Sequence, residues 1–238
     1  MVAVNRSYRQ GAHRGQVARR RPAMPCFQQY NVFSRLDLMS AASDPVPLLP
    51  LVIVPKRYAD RRGWFGETFH DKRLRDLGIA CTFVQDNQSR STRKGTLRGF
   101  HFQKPPAAQA KLISVLHGRI LDVAVDMRRN SPTYGKYVSA ELSSDDGKQL
   151  FIPIGFAHGF LTLEDGVSVL YKVSDYYAPS GEGGIRWDDP DIAFPWPFQG
   201  ADIILSERDE GLPFLADLES PFPYDGNPLK ELPALDLR

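Results

Sequence analysis

Cysteine is nearly missing from this chain, with only Cys26 and Cys81 in 238 residues. Two thiols make no disulfide framework, and their spacing matches no zinc site; a reducing cytoplasm suits them. Long apolar runs are missing as well. A membrane helix needs roughly 20 consecutive apolar residues, whereas the best stretch, Leu48 to Val54, is short and broken by Pro50, so no membrane partner is expected. The chain has no G-x-G-x-x-G and no G-x-x-x-x-G-K-[S/T], which removes the usual glycine-rich cradles for dinucleotides and nucleoside triphosphates. Internal repeats are absent too. A helical bundle is disfavoured by nineteen prolines spread along the chain, because each interior proline costs a helix roughly 3 kcal/mol.

What remains is the pattern of a mainly β protein with a few short helices. Its length suffices for one substantial core. Charge is distributed unevenly: residues 1–38 carry seven arginines against a single acid, Asp37, a net +6 that leaves −4 for the rest. This leader lacks an apolar signal core and amphipathic periodicity, so residues 1–45 are expected to be a basic, disordered or non-native extension, with Met39 an alternative start. No nucleic-acid partner is expected. Residues 46–238 form the expected catalytic domain with a C-terminal tail. A charged helix is expected over Asp71–Leu77, stopped by Gly78. Leu121-Asp-Val-Ala-Val-Asp126 alternates large apolar with small or acidic residues, which puts one row in a core and the other outward or into a cavity. Asp146-Gly147 and Asp165-Gly166 each sit between strand-like segments and predict hairpins. Hairpin ladders of this spacing suggest a jelly roll.

Two segments each present a histidine from a strand, Gly95-Thr-Leu-Arg-Gly-Phe-His101-Phe-Gln103 and Pro153-Ile-Gly-Phe-Ala-His158-Gly-Phe160. They resemble the two cupin barrel motifs. A metal cupin needs three or four protein ligands, yet Gln103 stands where the second histidine of H-x-H would be. No metal and no other cofactor is therefore expected. Read alone, both histidines could equally be packed barrel residues.

At this point the resemblance becomes specific. Asp60-Arg-Arg-Gly-Trp-Phe-Gly-Glu67, Phe83-Val-Gln-Asp-Asn-Gln-Ser89, Leu97-Arg-Gly-Phe-His-Phe-Gln103, Gln109-Ala-Lys111, Asp122-Val-Ala-Val-Asp126, Pro153 to Phe160 and Leu170-Tyr-Lys172 follow one another in order. In this the chain resembles the dTDP-4-dehydrorhamnose 3,5-epimerases, a metal-free, cupin-like family of deoxysugar biosynthesis, from about Val52 to Pro213. The resemblance implies inversion of C3 and C5 of dTDP-4-keto-6-deoxy-D-glucose, the two carbons beside the C4 ketone, to give dTDP-4-keto-L-rhamnose.

By position, His101 matches the family's base, Asp209 the carboxylate that holds its other N–H, and Tyr171 the acid on the opposite sugar face. Lys111 matches the cation near the carbonyl; carbon acids are far weaker than imidazolium, so the enolate oxygen needs a preorganised donor. Arg62 and Arg98 match the diphosphate contacts, for which guanidinium forks are suited. Glu67, Gln85, Asp86, Asn87, His158, Glu182 and Arg208 match other substrate contacts, and Tyr177 the aromatic that stacks on thymine. The sequence departs from the family at Ala110, Gln88 and Arg208, where Gly, His and Lys are common. The resemblance also implies a cytoplasmic homodimer that exchanges Leu51–Tyr58 between subunits. The rival readings are a single-centre epimerase on a related 4-keto sugar, a metal-dependent cupin and a non-catalytic sugar-binding jelly roll.

Overall fold

The computed structural model describes residues 49–237, so the basic leader and Met39 lie outside the described residues. In chain order the described residues form β1 (Leu51–Pro55), β2 (Arg57–Asp60), β3 (Gly63–Gly66), helix α1 (Asp71–Asp76), β4 (Gln85–Ser91) and β5 (Leu97–Gln103). Then follow β6 (Lys111–His117), β7 (Arg119–Asp126), β8 (Arg128–Arg129), β9 (Tyr137–Ser143), β10 (Gln149–Ile152) and β11 (Phe156–Thr162). The last elements are β12 (Val167–Val173), β13 (Glu182–Gly184), helix α2 (Glu207–Glu210), β14 (Phe222–Pro223) and β15 (Ala234–Leu237). No helix among the described residues is long and apolar enough to cross a membrane.

Two sheets carry the architecture, a six-stranded one in the order β15-β1-β10-β6-β12-β4 and a five-stranded one in the order β13-β5-β11-β7-β9. Between them lies a core built from both, with Ile113 and Val115 of β6, Leu150 and Ile152 of β10 and Val169 of β12 against Ile120 and Ala124 of β7 and Phe156 and Phe160 of β11. Each sheet is also covered on its outer face. Leu74 and Ile79 pack with Leu112 and Phe151 on one side, and Ile185, Ile192, Phe194, Trp196, Leu215 and Phe222 pack with Val123, Val125 and Leu161 on the other. With both faces covered, β10 and β11 are buried at every residue rather than at alternate ones. The cupin-like jelly roll expected from the sequence is the fold observed.

The row in β7 that the sequence left open is now assigned. Leu121, Val123 and Val125 face the outer core, while Asp122 and Asp126 point between the sheets with Ile120 and Ala124. Helix α1 ends one residue before the expected limit, with Leu77 as its cap and Gly78 at φ +83°. His70 caps its start, Nδ1 accepting from the Arg73 N–H.

The two predicted hairpins are corrected. Strand β9 pairs with β7, whereas β10 pairs with β1 and β6; β11 pairs with β5 and β7, whereas β12 pairs with β4 and β6. Both Asp-Gly turns therefore carry the chain from one sheet to the other. Gly147 and Gly166 do adopt the positive φ that Asp-Gly turns use. A reversal does not choose its strands' partners, however; burial does.

The expected exchanged segment is also not one strand. It breaks at Lys56: β1 pairs with β10 and β15 of its own chain, and from Arg57 onward β2 and β3 make a separate hairpin. That hairpin exposes Tyr58, Trp64 and Phe65.

Candidate functional site

The two histidine motifs meet across β5 and β11, where His101 stands opposite His158 in register. Gly99 makes this approach possible. A Cβ there would lie 2.6 Å from the carbonyl oxygen of His158 and from the Cα of Gly159, at φ +119°, a combination only glycine tolerates. Beside this pair opens a cavity of about 320 Å³ between the sheets.

The five-stranded sheet supplies one wall of the cavity with Arg98, His101, Gln103, His158 and Glu182, and the six-stranded sheet supplies the other with Gln85, Asn87, Ser89, Lys111 and Tyr171. Arg208 and Asp209, from α2, and Tyr177 also line it.

His101 Nε2 lies 2.6 Å from Asp209 Oδ1. With the carboxylate accepting that N–H, Nδ1 is the ring nitrogen left with a lone pair. Burial pushes the Asp209 carboxyl up, but His101, the Ser206 hydroxyl and the Gly99 N–H together hold it below its ordinary value. It is thus an anion in a nearly dry place.

A second pair sits behind the first, His158 Nε2 being 2.5 Å from Asp122 Oδ1. Asp122 is fully buried, and its Oδ2 has no hydrogen-bond partner. Burial keeps His158 below its ordinary pKa, against the pull of Asp122 and with the help of Lys111 and His101. Lys111 opens β6, and its Nζ donates to the His101 carbonyl at 3.3 Å. Burial lowers its pKa to about 8, with Asp122 pulling the other way. Tyr171 reaches in from β12, and burial raises its hydroxyl pKa, with Arg98 opposing.

Of the fourteen residues singled out in the sequence, eleven line this cavity: His101, Tyr171, Asp209, Lys111, Gln85, Asn87, Arg98, His158, Tyr177, Glu182 and Arg208. Asp86 does not. Residues 85, 87 and 89 of β4 turn inward and 86, 88 and 90 outward, so a strand cannot send both Gln85 and Asp86 to one site. Asp86 instead pairs with its cross-strand neighbour Lys172 at 3.0 Å.

Arg62 and Glu67 also lie outside their own chain's cavity. Arg62 sits at the exposed turn of the β2–β3 hairpin, paired with Asp60 at 2.6 Å, and Glu67 pairs with Arg73 at 2.7 Å. The lining residues that sequence reasoning missed are Ser89, Phe102, Gln103, Gln109, Phe160 and Ser206, together with the cavity's support Asp122. For Asp122 a signal existed, an acid in the row of β7 opposite the large apolar residues. Among the described residues no three His, Cys, Asp or Glu side chains converge to hold a metal ion.

Comparisons with known proteins point to one family. The family model for dTDP-4-dehydrorhamnose 3,5-epimerase matches residues 50–217. The enzyme of that name from Sinorhizobium fredii is 46% identical over 173 residues, 73% of this chain and 88% of the relative. A crystal structure of the Bacillus anthracis dTDP-4-dehydrorhamnose 3,5-epimerase with TDP and PPi bound is 47% identical with a TM-score of 0.66, over 68% of this chain and 91% of that one. A Legionella pneumophila dTDP-6-deoxy-D-glucose-3,5-epimerase in complex with dTDP-4-keto-L-rhamnose is 44% identical with a TM-score of 0.70, over 74% and 93%. Matched in sequence from β1 to past α2 and in structure over about 70% of its length, the chain belongs to the dTDP-4-dehydrorhamnose 3,5-epimerase family of isomerases.

Proposed function

We propose that the cavity inverts C3 and C5 of dTDP-4-keto-6-deoxy-D-glucose, with His101 as base, Tyr171 as acid and Lys111 at the enolate oxygen. The observation that carries this is the division of labour between the walls. His101 belongs to the five-stranded sheet, Tyr171 and Lys111 to the six-stranded one, and inversion requires that a proton leave one face of a carbon and arrive on the other.

At each centre His101 Nδ1 takes the proton beside the C4 ketone, and the electron pair moves into the enolate. Asp209 holds the ring orientation and stabilises the imidazolium that forms. Lys111 meets the charge that develops on the C4 oxygen, where a buried ammonium is worth far more than in water. Tyr171 then delivers its phenolic proton from the opposite wall. Arg98 and Arg208 supply the guanidinium groups within the cavity for the diphosphate, and Tyr177, half-exposed at the mouth, offers a ring to the thymine.

Arg62 and Glu67 keep their part in this reading only if a second chain supplies them. We therefore read the enzyme as a homodimer whose β2–β3 hairpin, with its exposed aromatic residues, reaches the cavity of the partner. Mixing inactive Arg62→Ala and His101→Ala proteins tests it: activity regained on mixing requires sites built from two chains, and no recovery overturns the shared site. The cytoplasm is the compartment that suits the free thiol of Cys81.

Proton NMR of the substrate with the enzyme in D₂O is the decisive test. Deuterium should enter at both C3 and C5 with the wild type and at neither with His101→Ala. Entry at one carbon would make this a single-centre epimerase, and no entry at all would sink the reaction.

A further inference from the structure

Residues 174–178, which follow β12 and bring Tyr177 to the cavity, belong to no strand or helix. A segment with no ladder of its own must satisfy its backbone groups elsewhere. Here four consecutive residues are held by glutamine side chains from three other parts of the chain. Gln109 Nε2 donates to the Asp175 carbonyl at 2.7 Å, and Gln103 Nε2 donates to the Tyr176 carbonyl at 3.3 Å. The Tyr177 N–H donates to Gln85 Oε1 at 3.1 Å, and the Ala178 N–H to Gln103 Oε1 at 2.7 Å.

Gln103 is the hub. It is buried, it touches the segment on both sides of Tyr177, and its remaining amide proton goes to the Ala107 carbonyl at 2.7 Å. Both protons of its amide and its oxygen are thus used, and its orientation is determined: reversed, its NH₂ would face the Ala178 N–H. It also lies two residues beyond His101 on β5, on the same face of the strand. One strand therefore fixes the base of the sugar site and the backbone beneath the aromatic at the mouth.

We propose that Gln103 is a positioning residue for nucleotide recognition, holding Tyr177 at the angle at which its ring meets the base. The inference rests on the reading of Tyr177 as the thymine platform. Gln103 itself need touch neither the base nor the sugar. An unpositioned tyrosine on a free loop loses rotational freedom on binding, and that loss weakens the complex.

Isothermal titration of thymidine diphosphate into the full-length wild type, Gln103→Met, Tyr177→Ala and the double variant tests this, together with steady-state kinetics. Methionine keeps length and packing while removing every hydrogen bond, and Gln103→Leu serves as a second variant if the first does not fold. A base stack is worth enough that Tyr177→Ala should weaken dTDP binding between about fivefold and a hundredfold. Gln103→Met should produce a loss of the same order, with KM rising far more than kcat falls, and should add little in the Tyr177→Ala background. Losses that multiply fully in the double variant, or a fall in kcat without a change in dTDP affinity, would overturn the proposal and leave Gln103 a prop for the fold. Unchanged dTDP affinity in Tyr177→Ala would overturn the platform reading itself, and the proposal with it.

Discussion

Replacing Lys111 by Met should make the protein more stable and nearly inactive at once. The ammonium is buried between the sheets, and its pKa falls from 10.5 to about 8. At 1.36 kcal/mol per unit, holding that charge in the folded state costs about 3 kcal/mol. Methionine has nearly the same length and no charge to desolvate. Part of the gain is lost because Asp122, whose Oδ2 has no hydrogen-bond partner, forfeits its positive neighbour. A net gain of about 1–3 kcal/mol remains, a rise of roughly 2–12 °C in Tm for a domain of this size. The pH dependence has a definite sign. Between about pH 8 and 10.5 the unfolded lysine binds more protons than the folded one, so wild-type stability rises with pH across that window. The advantage of the variant is therefore full below about pH 8 and shrinks above it. Meanwhile kcat should fall by about 10²–10³, the usual cost of removing one donor to an oxyanion. Calorimetry at pH 7 and pH 10 with turnover assays checks both halves. A variant less stable than wild type at pH 7, or an advantage that does not narrow at pH 10, would refute the burial argument; near-normal kcat would refute the enolate role.

Tyr171→Phe should still exchange substrate hydrogen for deuterium, since His101 can return a deuteron to the face it came from, but should not invert the carbon; NMR separates the two, and normal epimerisation would remove Tyr171 from the mechanism. Asp209→Asn should lower kcat by about 10²–10⁴ with dTDP affinity retained, because the amide cannot stabilise the imidazolium across the 2.6 Å contact; a loss confined to KM would mean the pair only shapes the cavity. Asp86→Asn should leave KM and kcat within about twofold, since its carboxylate faces Lys172 away from the cavity; a tenfold rise in KM would restore it to the site.

The parts of the fold that depend on local chemistry were legible in the sequence. Helix α1 announced itself by Asp71 at its start and Gly78 beyond its end, and β7 by its alternation. Pairing between distant strands was not legible. The two Asp-Gly turns have the local chemistry of a hairpin, and nothing within ten residues of either tells that the flanking strands belong to opposite sheets. That choice is made by Leu150, Ile152, Phe156 and Val169 filling one shared core, a condition on the whole chain. In the same way Arg62 and Glu67 carry the residue types of a substrate contact but are kept from their own cavity by a hairpin that folds away from it.

The site shows the same limit from the other side. The family resemblance picked out His101, Lys111, Tyr171 and Asp209, which lie up to 108 positions apart yet line one cavity. Two residues have other parts in the fold than their types suggest. Asp86 was grouped with Gln85 and Asn87, although a strand must send it to the other face. Gln103 counted in the sequence only as a histidine that was not there, an argument against a metal. In the fold its amide binds two carbonyls and an N–H on two loops, which neither a histidine committed to a metal nor a shorter asparagine could do from the same place. The residue that stands where a cupin pattern has a metal ligand thus anchors the segment carrying Tyr177. Replacing Gln103 by histidine should therefore disturb the loop rather than create a metal site, because the described residues bring no third ligand to it.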